Sequence, residues 1–412
     1  PAIGASYFVA QRSDFQKNPM LAPLRCRPLC PPCLRGATVF AMASFAWLGA
    51  TAWPMDQVTY KHDGKTAEVE GRLVITAQDG GLLMLAQDGM LVAIPPEEQV
   101  KHTHDERPFA AYSREEIAKQ LLQQLPPGFK THQTAHYLIF YDTSTAYAQW
   151  CGSLFERLYM AFTNFWSRKG FELNPPEFPL VAIVFANKAS YLKYSQSDLG
   201  DAGESVIGYF NLINNRMTMY DLTGIEAQGR SASRGKTAAQ INQILAQPDA
   251  LRTVATIVHE ATHQIAFNCG MHTRLSDCPV WFSEGIAEYF ETPDLRSPKG
   301  WSGIGAINRM RLEQFHKYLS RRPADSLETL IADDSRFRDP KKALDAYAEA
   351  WALTYFLIRQ HSKEYISYLA MLSQKKPLVQ DGPEKRLAEF RQFFGDLKQL
   401  DNEFLRQMTR GR

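Results

Sequence analysis

The chain has 412 residues, 45% of them hydrophobic and 22% charged, with a formal net charge of +2. That length allows more than one domain and a sizeable core. The balanced charge offers no broad basic surface for nucleic acid, and 12% aromatic residues argue against a mostly disordered chain.

Residues 1–19 read as upstream translation ahead of Met20, and residues 20–52 as an export signal. Arg25, Arg27 and Arg35 supply the basic region. The apolar run at 37–50 (ATVFAMASFAWLGA) is too short to span a membrane comfortably, and Ala50-Thr51-Ala52 offers a cleavage site. A buried or anchoring helix is the alternative for that run. The expectation is an exported protein (periplasmic, cell envelope or extracellular) with no integral membrane segment after signal removal. Cys26, Cys30 and Cys33 fall inside the leader; the CxxC there has no second Cys or His pair nearby to complete a metal site. In an oxidising compartment Cys269 and Cys278, close in sequence, could pair and leave Cys151 free, or all three could be reduced core residues.

Residues 56–100 read as a small β unit, with short apolar or alternating runs separated by Asp63-Gly64, Asp79-Gly80 and Asp88-Gly89 as turns. Pro95-Pro96 and the charged stretch to Pro108 read as a linker. Its His102 and His104 are expected on a solvated loop, since no partner ligand is near in sequence. Within 101–130, a helix at 113–125 opens on Ser113. Tyr137–Tyr141 reads as a strand, Thr145–Arg168 as an amphipathic helix and Leu180–Phe185 as a central strand. Val206–Leu212 and Arg216–Tyr220 flank Asn214-Asn215 as a hairpin. The polar segment from Thr223 begins as a flexible loop that leads to a helix starting at Pro248.

That helix carries His259-Glu260-Ala261-Thr262-His263, an HExxH motif. Residues four apart project from one helix face, so both imidazoles can reach a single zinc ion. Glu260, beside that face, can reach the attacking water. Leu251, Val254, Val258, Ala261 and Ile265 recur at helical spacing as the anchoring side. A catalytic zinc takes three protein ligands, and WFSEGIAEYFE at 281–291 offers Glu284 as the third, with Glu288 next in line. Glu288, four residues on, is also placed to accept the free ring N–H of a ligand histidine. Glu291 fits a solvated helix face.

His259–His263 followed by Trp281–Glu291 resembles the gluzincin metallopeptidases of the peptidase MA-like superfamily. WFSEGIAEYFE is similar to the segment around the third zinc ligand of the aminopeptidase N group. The resemblance implies one catalytic Zn2+ on His259, His263 and Glu284, Glu260 as general base, and Glu288 as the outer carboxylate seen in thermolysin-like enzymes. Tyr347–Leu357 is similar to the helix bearing the catalytic tyrosine of aminopeptidase N relatives, which implies that Tyr347 donates its hydroxyl to the oxyanion. No counterpart of the aminopeptidases' Gly-x-Met-Glu-Asn exists; Gly208-Tyr209-Phe210-Asn211 lacks the acid. The pattern is closest to exported bacterial peptidase-like proteins of this clan.

The implied fold is α+β: a thermolysin/gluzincin-like catalytic domain preceded by the all-β unit. Its sheet lobe with the HExxH helix would span 131–270, and a helical lobe with the third ligand 271–412. The implied function is zinc-dependent hydrolysis of a peptide or protein substrate, by an endopeptidase. The alternative is a silent or latent peptidase-fold protein acting as a binding module.

Overall fold

The computed structural model describes residues 53–224, 235–293, 295, 301 and 303–409. The expected leader and its three cysteines lie outside that range. The chain is mixed α/β, with two five-stranded sheets followed by a helical C-terminal region.

The first sheet is built from β1 (Pro54–His62), β2 (Lys65–Thr76), β3 (Leu82–Ala86), β4 (Leu91–Ile94) and β5 (Gln99–Pro108), ordered β4-β3-β2-β1-β5 and antiparallel throughout. Its turns fall at the Asp-Gly pairs, where Asp63, Gly64, Gly80 and Gly89 have positive φ. The stretch expected as a linker is instead the edge strand β5. Its charges are compatible with an edge, where one side of the ladder meets water. Val58, Val69, Leu82, Met84 and Ile94 fill one small core of this unit. A second cluster, with Leu83, Leu85 and Leu91, packs on Phe178 and Leu275 of the following lobe.

After α1 (Arg114–Gln124), opened by a Ser113–Glu116 capping box, comes the second sheet. Its strands are β6 (Lys130–Gln133), β7 (Tyr137–Tyr141), β8 (Leu180–Phe185), β9 (Gly208–Asn211) and β10 (Arg216–Tyr220), ordered β6-β7-β8-β10-β9. β7, β8 and β10 run parallel, and β6 and β9 close the two edges antiparallel. β7 and β8 are buried along their whole length, as continuous apolar runs demand. Helix α2 (Thr145–Arg168) covers this sheet, α3 (Lys188–Leu199) follows β8, and α4 (Ala238–Leu245) leads into α5 (Pro248–Asn268). The hairpin turn at Asn214-Asn215 forms as expected, with Asn215 at φ 61°.

The helical region holds α6 (Val280–Phe290), α7 (Arg309–Leu319), α8 (Ser326–Ala332), α9 (Ser335–Arg338), α10 (Ala343–Gln360), α11 (Ser362–Ser373), α12 (Pro383–Phe394) and α13 (Leu397–Thr409). Among the described residues, no helix is long and apolar enough to cross a membrane. α6 and α10 approach closely because Gly285 has no side chain. A Cβ there would meet Thr354 Oγ1 at 2.1 Å and the Ala350 carbonyl at 2.8 Å.

A buried ion triad fixes the start of α6. Arg386 on α12 donates Nε to Asp277 (3.0 Å) and Nη1 to Asp334 (3.0 Å), and Asp334 accepts the Val280 N–H at 3.0 Å. All three charges are buried. Removing Arg386 strips the buried cation from Asp277 and leaves Asp334 with only the more distant Arg338, at 3.9 Å, so Arg386→Ala should lower stability by about 3–5 kcal/mol. Urea unfolding followed by circular dichroism checks this; a loss below about 1 kcal/mol, the range of an exposed pair, would mean water reaches the triad.

Candidate metal centre

Helix α5 starts on Pro248 and buries Val254, Ile257, Val258, Ala261 and Ile265 against the second sheet. Polar ties fix its rotation. Gln264 Nε2 donates to the Val181 carbonyl of β8 at 2.9 Å, and Asn268 and Asn215 exchange amide hydrogen bonds at 2.8 Å. His259 and His263 therefore project from one face, with their Nε2 atoms 3.2 Å apart.

Helix α6 crosses that face and brings Glu284 to both rings. Its Oε2 lies 3.1 Å from His259 Nε2, and its Oε1 3.5 Å from His263 Nε2. The residues fit a zinc ion. Ligands about 2.0–2.1 Å from a tetrahedral ion sit about 3.3 Å from one another. The two distances from His259 Nε2, 3.1 Å to Glu284 Oε2 and 3.2 Å to His263 Nε2, are close to that value, and the other Glu284 oxygen lies 3.5 Å from His263 Nε2. The chemistry fits too, since two imidazoles and a carboxylate are an ordinary catalytic set with a position to spare. All three side chains are buried.

Glu260 is held beside this trio. Its Oε2 accepts the Phe210 N–H of β9 at 3.0 Å, while its Oε1 is buried without a hydrogen-bond partner among the described residues. Burial pushes its pKa up to about 8, against the opposing pull of His259 and the Phe210 N–H. Glu284 goes the other way. Burial would raise it, but the charge of His263 and hydrogen bonds from both histidines bring it down to about 2. Burial likewise opposes the charged form of His259, yet Glu284 and Glu291 hold its pKa well above 6.5 in the metal-free site.

The outer carboxylate differs from the expectation. Glu291, not Glu288, takes the free ring nitrogen of His259, with Oε2 3.1 Å from Nδ1. Glu291 is buried rather than solvated. It also accepts Asn308 Nδ2 at 2.6 Å, and Arg311 Nε lies 3.4 Å away. Glu288 pairs instead with Arg311, at 2.9 Å. Helical geometry gives the reason. Seven residues at 3.6 per turn bring Glu291 back to about 20° from Glu284, whereas four bring Glu288 to about 40°. The signal was present in the spacing. Asn308 and Arg311, by contrast, come from α7 and carry no motif. Asn308 is the N-cap of α7, accepting the Arg311 N–H at 3.2 Å, so one side chain both starts that helix and grips Glu291.

Tyr347 on α10 is wholly buried with Arg311 over its ring, 5.6 Å from the centroid. Burial, then the charges of Glu284 and Glu288, raise its pKa well above 10, so it stays a hydroxyl donor. Cys269 and Cys278 are not paired: they are separate buried thiols, as is Cys151. Cys278 Sγ lies 3.7 Å from His272 Nδ1, and burial pushes the Cys269 thiol up to about 12. Each is a small core residue here.

The family described as "Protein of unknown function (DUF1570)" matches residues 253–379, a span that begins within α5 and includes His259, His263, Glu284 and Tyr347. No curated protein matches the chain.

Two outcomes follow from the outer shell. Metal binding requires both imidazoles deprotonated. Because Glu284 and Glu291 raise His259 in the empty site, protons compete there even above pH 6.5. Zinc affinity, read by chelator competition, should therefore fall continuously from about pH 8 to about pH 6; a flat profile would show that His259 is already neutral. Glu291→Gln should weaken zinc about 10–100-fold, and Glu288→Gln by less. The reverse order would return the orienting role to Glu288.

Proposed function

We propose that this protein is a zinc-dependent hydrolase of peptide bonds, acting as an endopeptidase. The observation that carries the reading is Glu260: a buried carboxylate beside the His259–His263–Glu284 trio, with one oxygen fixed by a backbone N–H and the other unengaged. A general base needs an oxygen free to take a proton.

Zinc held by His259, His263 and Glu284 would lower the pKa of water and polarise the scissile carbonyl. Glu260 takes the water's proton at Oε1 and delivers it to the leaving amine. The Phe210 N–H holds Glu260 in place through the other oxygen. Tyr347, kept protonated by burial, donates to the oxyanion. β9 is an edge strand, and Phe210 turns its outer N–H toward Glu260, so an extended peptide laid along that edge passes the base. Nothing in Gly208–Asn211 offers a carboxylate for a free amino terminus, which favours internal cleavage.

A second reading has its own support. His259, His263, Glu260 and Glu284 are each 4% exposed or less. Donors so enclosed suit a closed, latent protein that holds a partner in place of turning over substrate.

The experiment is a diverse peptide library incubated with the zinc-loaded chain, with cleavage read by mass spectrometry beside a chelator control. Chelator-sensitive internal cuts are the expected result; none from a zinc-replete chain would favour the latent reading. Glu260→Gln should keep zinc and lower kcat about 10²–10⁴-fold. Tyr347→Phe should lower kcat about 10²–10³-fold. Full activity of Glu260→Gln would sink the mechanism.

A further inference from the structure

The first sheet holds a second gathering of metal-binding side chains, independent of the proposed hydrolytic site. His102 and His104, two apart on β5, point to one face, and Asp56 is the cross-strand partner of His104 on β1. His102 Nε2 lies 2.9 Å and His104 Nδ1 2.5 Å from the same atom, Asp56 Oδ1. One donor atom from each residue falls within 4.8 Å of the other two.

Asp56 is 2% exposed, on a strand whose neighbours pack a core. Its Oδ2 accepts the Leu73 N–H at 3.4 Å, which leaves Oδ1 to the imidazoles. Both rings thus converge on one oxygen of a carboxylate shut away from water. A cation among them would satisfy all three donors at once. The outward side is open: the His102 and His104 side chains are 25% and 70% exposed, so water can complete the coordination.

We propose that Asp56, His102 and His104 form a second metal site for a divalent first-row transition ion, zinc in particular. Two imidazoles and one carboxylate form a borderline N₂O set that suits zinc, nickel or copper(II) over calcium or magnesium. The ion would bridge β1 to β5, the edge strand. That ladder breaks register between Pro54 and Met55 and again between Thr59 and Tyr60, on either side of the cluster. A metal there pins the strand between its two irregularities.

The test counts zinc on the full chain, by equilibrium dialysis and elemental analysis. The wild type should hold two zinc ions, the His102→Ala/His104→Ala chain one, and the His259→Ala/His263→Ala chain one. His104→Ala alone removes a mostly exposed side chain without threatening the fold. It should weaken the second zinc by about tenfold or more, because a direct ligand matters at least as much as the partners that orient ligands. Zinc content and affinity identical in the wild type and His104→Ala would overturn the proposal, whatever the first site holds.

Discussion

Four carboxylates and two imidazoles are buried around His259, and none could remain there alone. An isolated ion in a protein interior costs several kcal/mol, so each group must find its opposite or give up its charge. Glu284 and Glu291 keep theirs against the histidines and Arg311. Glu260 and Glu288 are driven by burial toward the protonated form. The rest of the helical region can be understood as the frame this cluster requires. α7 supplies Arg311 and Asn308, α10 supplies Tyr347, and Gly285 lets α10 close onto α6. A divalent cation at the trio would relieve the same imbalance, adding positive charge where acidic groups outnumber basic ones.

Much of this was legible in the sequence because it is carried by local period. Thr145–Arg168, Leu180–Phe185 and Pro248–Asn268 form with the bounds their patterns suggest. HExxH and the downstream Glu284 meet because helical spacing fixes where each side chain points. What escaped depended on partners distant in sequence. Glu291 looks like one more acid on a helix end until Asn308 and Arg311 arrive from another helix. His102 and His104 look like loop residues because charged, proline-flanked stretches usually are loops. Only pairing with β1 turns that stretch into a strand, and only Asp56, 46 residues earlier, gives its histidines a common target.

The hairpin of β9 and β10 links the two halves of the molecule. Its outer strand gives the Phe210 N–H to Glu260, and its turn is gripped from the other side by the first sheet. Leu91 N–H donates to the Ile213 carbonyl at 2.8 Å, and Arg216 Nη2 reaches Asp88 at 3.2 Å. Phe178 fills the space against Gly89, where a side chain would meet its ring at 3.1 Å. The all-β unit thus bears on the base of the hairpin while the candidate site bears on its edge. These contacts give the all-β unit a role in setting the position of β9.

That linkage has a physical consequence for Glu260. The hydrogen bond from Phe210 is the contact that orients Glu260, and it comes from an edge strand paired on one side only, with β10. Its own side chains tie it down as well, Tyr209 Oη and Asn211 Nδ2 donating to Asp198 Oδ2 at 2.7 and 3.1 Å. The turn is fixed from both sides, among other ties by Asn215–Asn268 to the helix that carries the histidines and by Leu91–Ile213 to the first sheet. The position of Glu260 relative to His259, His263 and Glu284 is therefore not a property of the HExxH helix alone. It depends on a short strand clamped between that helix and a separate β unit, which gives this unit a structural reason to be joined to the lobe that follows it.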